Sequence, residues 1–208
     1  MQSQYNEMVK KVEKKGGFWV GRYETSNMSD SMLEYYTEYN RIQVSSKRNT
    51  TKGIGYVTWY RMYAQQKIYS ELALESKITS SMIWGSQYDQ IMIWMKEEKS
   101  SDQAQSRGKY YVTNGVGKGN YGKISDVEND VYSDRAPTGS QDFYSTKNIF
   151  DLAGNVFEST LEADNTQGRV VRGGGYGNTE RRFTRPDSRD NYYPIDSNPF
   201  GGSRLTLY

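Results

Sequence analysis

The chain has 208 residues with 27 lysines and arginines against 25 aspartates and glutamates, and it contains neither histidine nor cysteine. That absence excludes a Ser-His-Asp triad, a thiolate nucleophile, a disulfide framework, a Cys/His zinc site and a histidine-bound iron site. A formal net charge of +2 gives no electrostatic pull toward nucleic acid or an anionic membrane, and no apolar run reaches the ~18–20 residues of a membrane span.

The first element is a short amphipathic helix over residues 2–15, with Tyr5, Met8, Val9 and Val12 on one face and Gly16-Gly17 as its stop. The sequence MQSQYNEMVKKVEKK has no apolar stretch of the signal-peptide kind, so no signal peptide is expected. FWVGRYE (18–24) alternates and predicts the first strand. Residues 27–55 are polar and ambiguous, and SSKRNTTKG within them predicts an exposed loop. A helix is expected from Thr58 as N-cap, with Val57, Tyr60, Ala64, Ile68 and Leu72 inward. Another is expected from Ser86, with Tyr88, Ile91, Met92 and Met95 as its buried stripe. Such stripes predict core packing, not a cofactor box. Residues 99–147 are polar, rich in Gly, Ser, Asp and Asn, and show no sustained period. RVVRGGGY (169–176) and GSRLTLY (202–208) predict strands, with an irregular segment, 177–201, between them. There is no internal repeat and no linker that would divide the chain.

Two compositional and local features bear on function. Tyrosine occurs 19 times beside 20 glycines. Tyrosine offers a large, rigid contact area with a polar tip, so this usage fits a binding surface; it equally fits tyrosine replacing phenylalanine in a loop-rich core. In NIFDLAGNVFES (148–159), Asp151 and Glu158 flank a tight Gly154-Asn155 turn. Carboxylates and turn carbonyls together suit a hard cation, calcium above all. From spacing alone, Asp151 could as well cap a turn and Glu158 pair with an arginine.

The same segment resembles the N/D-x-x-G-N-x-W-E-W motif of the formylglycine-generating-enzyme (sulfatase-modifying factor) family, which has a C-type lectin fold. Five further segments agree in order. GFWVGRYETS (17–26) resembles the opening strand F-x-x-G-x-x-E-V-T. VTWYRMYAQQKIY (57–69) resembles V-S-W-x-x-A, and SSMIWGSQYDQIMIW (80–94) resembles the segment that opens the second helix. RVVRGGGYGN (169–178) resembles R-V-x-R-G-G-S-W, and GSRLTLY stands where G-F-R is expected.

The resemblance implies an α+β fold of C-type lectin type: two helices on small twisted antiparallel sheets, with long irregular loops. It divides the chain into an N-terminal helix, 1–16, and a lectin-like domain, 17–208. It also implies a structural calcium held by the side chains of Asp151 and Glu158 and the carbonyls of Gly154 and Val156. The departures carry equal weight. The family's oxidases bind copper through cysteines and a related branch binds iron through histidines, so copper, iron and zinc are not expected here. Phe157 and Ser159 replace two tryptophans of the motif, and Ser203 replaces the phenylalanine of G-F-R.

A non-catalytic use of this scaffold is the variable protein of diversity-generating retroelements, in phages and bacteria. There, adenine-containing codons near the C-terminus are rewritten to diversify a ligand-binding surface. Residues 176–203 resemble such a region. The candidate ligand-binding positions are Tyr176, Asn178, Phe183, Asp187, Ser188, Asp190, Asn191, Tyr192, Tyr193, Ile195, Asp196, Asn198, Phe200 and Ser203. Arg172, Arg189 and Arg204 sit beside family-like glycines or prolines and are read as structural. The expected function is non-catalytic binding of a protein or glycan ligand on a cell surface, with no nucleic-acid or membrane partner and no catalytic residue. The expected location is a phage virion or a bacterial surface. The alternatives are an assembly component of a virion, in which the N-terminal helix drives oligomerisation, and a metal-dependent oxidase-like enzyme.

Overall fold

The structure, a computed structural model, describes residues 1–28, 44–49, 55–73, 77–96, 135–140, 142, 145–164, 167–177 and 188–208. Elements are numbered below among these residues. Most of the long polar stretch, and the candidate positions Asn178, Phe183 and Asp187, lie outside them.

The first helix, α1 (Gln2–Lys15), has the expected bounds. Gly16 ends it at φ 74°, a left-handed conformation open to glycine at little cost, and Lys14 and Lys15 face the negative end of the helix dipole. Met8 is buried in a cluster with Trp59, Met62, Met82, Trp84 and Tyr208, while Tyr5 meets Trp84 edge-on at 5.2 Å. The helix is thus part of the main core, and the division at residue 16 does not separate two cores.

The second helix, α2 (Trp59–Lys67), starts after Thr58 as expected but presents a different face. Its buried residues are Trp59, Met62, Gln65 and Gln66, whereas Tyr60 is exposed. Two of the inward positions are glutamines, which a hydropathy stripe reads as outward. Their burial is tolerable because each has partners: Gln66 Nε2 donates to Met62 O at 3.3 Å and to Ser203 Oγ, and its Oε1 accepts from Thr25 Oγ1 at 3.2 Å. At Ile68 the helix gives way to a short turn of helix, α3 (Tyr69–Ala73).

The next helix, α4 (Gly85–Lys96), begins one residue before Ser86, so Trp84 is its N-cap. The capping contact comes from Gln87 at the third position, whose Oε1 accepts from Trp84 N at 3.0 Å. Its inward stripe is the expected one: Tyr88, Ile91, Met92 and Met95 are all buried, against Ile83, Ile149 and Leu152.

Among the described residues the strands form three small sheets. In the first, β9 (Leu205–Leu207) lies between β1 (Trp19–Val20) and β2 (Ser80–Met82), with Leu207 opposite both Trp19 and Ser80. The second is a hairpin of β3 (Ser145–Thr146) and β4 (Ile149–Phe150), turning at Lys147 and Asn148, both with positive φ, as a two-residue hairpin requires. The third has the order β7-β6-β5-β8: β7 (Arg189–Tyr192), β6 (Arg169–Arg172), β5 (Phe157–Ala163) and β8 (Gly201–Ser203). The pairings are antiparallel, as expected, except at β8, which runs parallel to β5. The irregular segment 177–201 also contains β7, whose exposed polar side chains gave no apolar alternation to read.

Arg204 stands between β8 and β9, where the chain passes from one sheet to another. Its side chain is wholly buried. Nε and Nη2 donate to Glu158 Oε1 at 2.7 and 2.5 Å, Nη1 donates to Gly21 O at 2.8 Å, and Nη2 donates to Phe150 O at 2.7 Å. One guanidinium therefore joins β5, the end of β4 and the segment after β1.

Candidate functional site

The acidic loop follows from backbone conformation first. Asp151, Gly154 and Asn155 all take positive φ, at 56°, 80° and 61°, which folds residues 151–156 into a tight, fully buried turn. Asp151 Oδ2 accepts from Thr138 Oγ1 at 2.9 Å and from Gly139 N at 2.7 Å. Asn155 accepts from Ala136 N through Oδ1 and donates through Nδ2 to Glu24 Oε2 at 2.5 Å. The other oxygen of Glu24 accepts from Val156 N at 3.1 Å, and Glu24 N donates to Thr138 Oγ1. Glu158 is held by Arg204 through Oε1, while its Oε2 is buried with no hydrogen-bond partner among the described residues.

Three carboxylates thus sit in the interior around one guanidinium. Burial pushes Glu24 well above the usual carboxylate range, and the charge of Asp151 adds to that effect. Burial also raises Asp151 and Glu158; Gly139 N–H chiefly opposes the shift at Asp151, and Arg204 opposes it at Glu158. Glu24 was not singled out from the sequence as functional, although it is the glutamate of the GFWVGRYETS match.

Both carboxylates that the resemblance assigns to calcium have protein partners, although Glu158 Oε2 has none among the described residues. Glu158 is turned onto a fixed guanidinium, and Asp151 is taken by a hydroxyl and a backbone N–H. The loop acts as a scaffold joint: it fastens the segments at 24, 136–139 and 154–158 to one another and to Arg204.

The C-terminal candidates separate by exposure. Asp190, Asn191, Tyr193, Ile195 and Asp196 are exposed, while Tyr176, Tyr192, Asn198 and Phe200 are partly buried. Tyr193 and Ile195 reach 59% and 73% exposure, unusual for side chains of that size. Two corrections apply. Ser188 is buried, and Ser203, the last residue of β8, is wholly buried, with its Oγ on Gln66 and Met28 Sδ. Where the motif has a phenylalanine, Ser203 makes a polar contact with α2 and has no surface exposed to solvent.

Two of the partly buried members pack on aromatic neighbours. Tyr192 stacks on Phe157 at 4.5 Å and 18°, and Tyr176 packs on Phe200 at 4.8 Å. A methyl group on Gly177 would come within 2.3 Å of the Phe200 ring, so the glycine there is required by close packing. Phe157, which replaces a motif tryptophan, thus supports Tyr192. Burial, and after it Asp190, raises the Tyr192 hydroxyl above its usual range, while a hydrogen bond with Asn198 opposes the shift. Beyond Tyr192 the loop closes through Asp196 N to Tyr193 O and Gly201 N to Asn198 O.

Sequence reasoning missed Tyr56 and Arg135. Tyr56 N donates to Asn198 O at 3.0 Å, its ring is 59% exposed, and the Arg135 guanidinium lies 5.8 Å from the ring centre. Tyr56 takes φ 56°, unusual for a tyrosine. No local sequence signal marks either residue as a neighbour of 198; only the tertiary fold brings them there. Of the arginines read as structural, Arg172 pairs with Asp89 at 2.7 Å and the exposed Arg189 with Glu162.

No protein-family model matches the sequence, and no curated protein matches it. Solved structures do. Treponema denticola variable protein 1 matches at a TM-score of 0.57 and 15% identity, over 91% of this chain and 84% of that one. The Major Tropism Determinant I1 variant matches at 0.52 and 13%, over 92% of this chain and 50% of that one, so this chain spans about half its length. A looser likeness, at 0.48 and 13% over 91% and 80%, is to PvdO from Pseudomonas aeruginosa. The fold is the C-type lectin fold shared by these variable proteins.

Proposed function

We propose that the chain is a non-catalytic ligand-binding protein of phage or bacterial origin, whose recognition face is the exposed C-terminal segment around 190–198 with Tyr56 and Tyr176 beside it. The observation that carries this reading is the contrast across Tyr192. Its ring is packed on Phe157, while Tyr193 and Ile195, directly after it, stand in solvent on a loop tied at Asn198. Large side chains on a fixed loop give contact area at little entropic cost, which is what a recognition surface needs. The ligand is a protein or glycan displayed on a cell surface. The face is diversified at its exposed positions and constant at Ser188 and Ser203, whose burial makes change costly. The likeness to a tropism determinant and a variable protein supports this reading, as does the absence of histidine and cysteine. The carboxylates at 24, 151 and 158 serve structure, so no catalytic role is assigned to them.

The test is a display library randomised at 190, 191, 193, 195 and 196 and selected against three unrelated purified proteins. The reading predicts folded, specific binders to at least one target. A library whose members mostly fail to fold, or that yields no binder while a control library does, contradicts it.

A further inference from the structure

The first sheet has an open side. In its order β1-β9-β2, β1 lies at an edge. The register shows where the backbone groups of that edge point. Tyr208 N donates to Thr79 O and Ile83 N donates to Arg204 O, so the even-numbered residues along β9 bond toward β2. Gly21 N donates to Leu205 O at 2.8 Å, so the odd-numbered ones bond toward β1. Val20 stands opposite Thr206, and its N–H and C=O therefore point away from β9. The same alternation turns Arg22 outward. There the edge is in use, since Phe150 N donates to Arg22 O at 2.9 Å. Two residues earlier, at Val20, no further strand pairs with β1 among the described residues. Native sheets usually cover or blunt such an edge.

Beside this edge lies a groove that shares no lining residue with the C-terminal face. It runs between Gly16–Val20, α4 and the β3–β4 turn, and encloses about 690 Å³. Phe18 and Ile91 contribute apolar wall, and both tryptophans that line it are open to solvent, Trp19 at 63% and Trp94 at 47%. Arg22 lines the groove as well. It donates from Nε to Asn148 O at 3.1 Å and from Nη2 to Asn148 Oδ1 at 2.8 Å, and its guanidinium lies 5.9 Å from the centre of the Phe150 ring. These are uncharged groups, which orient the cation and leave its charge. No aspartate or glutamate lines the groove among the described residues.

We propose that this groove takes an extended, acidic segment of a partner protein, added as a strand to β1, with apolar side chains against Trp94 and Phe18 and a carboxylate on Arg22. Backbone bonds to Val20 set the register, alternate side chains fill the groove, and Arg22 selects an acidic sequence. A second copy of this chain, pairing edge to edge, would present the segment 17–22, which has a cation and no carboxylate.

The experiment uses the full chain and a phage-displayed library of short linear peptides, followed by synthetic versions of the selected sequences. Binding is read by fluorescence anisotropy of labelled peptide and by the shift of tryptophan emission. Selected peptides should alternate apolar residues and carry an aspartate or glutamate. Val20→Pro removes the outward N–H and leaves the bond from Gly21 to β9 in place; it should weaken binding about 10-fold. N-methylation along the peptide should do the same at one or two alternate positions. R22Q should weaken acidic peptides about 3-fold at low salt, with no effect on peptides whose acid is replaced by its amide. R22K should keep most of the affinity, and W94A should weaken every peptide. Selected peptides without an acid, binding unchanged in both V20P and R22Q, or binding lost in Y193A and I195A but kept in W94A would overturn the proposal. So would self-association that V20P abolishes in a chain that takes no peptide. Thermal melts accompany each variant; should V20P lose the fold, the N-methyl scan decides the edge. Binders from the library randomised at 190–196 bear only on the C-terminal face, so the two readings fail separately.

Discussion

Replacing Arg204 with alanine should cost the fold heavily, and the cost should depend on pH. The wild-type guanidinium is wholly buried and makes four donations, two to Glu158 and one each to the carbonyls of Gly21 and Phe150. Without it, a buried carboxylate has no cation. Removing one partner of a buried pair typically costs about 3–5 kcal/mol. The remaining acid can escape by taking a proton. From its ordinary value near 4.5, that costs about 3.4 kcal/mol at pH 7 and about 0.7 kcal/mol at pH 5, at roughly 1.4 kcal/mol per pH unit. The two abandoned carbonyls add about 1–3 kcal/mol each at most. The expected loss is therefore about 5 kcal/mol at pH 7, falling by about 2–3 kcal/mol at pH 5. Against a total stability of about 5–15 kcal/mol for a domain, that is a large fraction. Urea unfolding followed by far-ultraviolet circular dichroism at both pH values measures it, with linear extrapolation to water. A loss below about 1 kcal/mol, or the same loss at both pH values, would refute the assignment of Arg204 as the charge partner of Glu158.

Three further expectations follow from the same geometry. Glu24 has a raised folded-state value, so the folded chain holds its proton more tightly than the unfolded chain does; the resulting stability is complete below about pH 4.5 and lost as pH rises through the raised value. Thermal melts should show the wild type losing stability as pH rises above about 4.5, with a shallower slope in E24Q; equal slopes would contradict this. S203F should destabilise by about 2 kcal/mol or more through overpacking against Gln66 and Met28, whereas Y193A and I195A should each change urea midpoints by an amount worth less than about 0.5 kcal/mol. Millimolar calcium or a chelator should leave the melting midpoint within about 1 °C, since Asp151 and Glu158 already have protein partners; a clear calcium-dependent rise would restore the metal site.

Where the sequence was informative, hydropathy and backbone chemistry pointed the same way. The stripe at Tyr88, Ile91, Met92 and Met95 and the stop at Gly16 could be read because apolar spacing and a left-handed cap are local properties. The fold was readable only through six motifs taken in order. The inward face of α2 was misread because Gln65 and Gln66 are both buried, Gln66 with the distant partners Thr25 and Ser203. The same cause misplaced Ser203, whose polar side chain reads as surface until Gln66 is seen above it. The acidic loop shows a parallel limit. Spacing marked Asp151 and Glu158, but which cation they serve depends on Arg204, 46 positions beyond Glu158. Tyr56 had no local mark at all, because its role comes from a backbone bond to Asn198.

The central claim is a changeable face on a constant scaffold, and sequencing the gene across a natural population tests it most directly. The account predicts substitutions concentrated in adenine-containing codons at exposed positions such as Asp190, Asn191, Tyr193, Ile195 and Asp196. It predicts constancy at Glu24, Asp151, Glu158, Ser203 and Arg204. Substitutions spread evenly through the gene, or frequent change at Ser203 and Arg204, would contradict it.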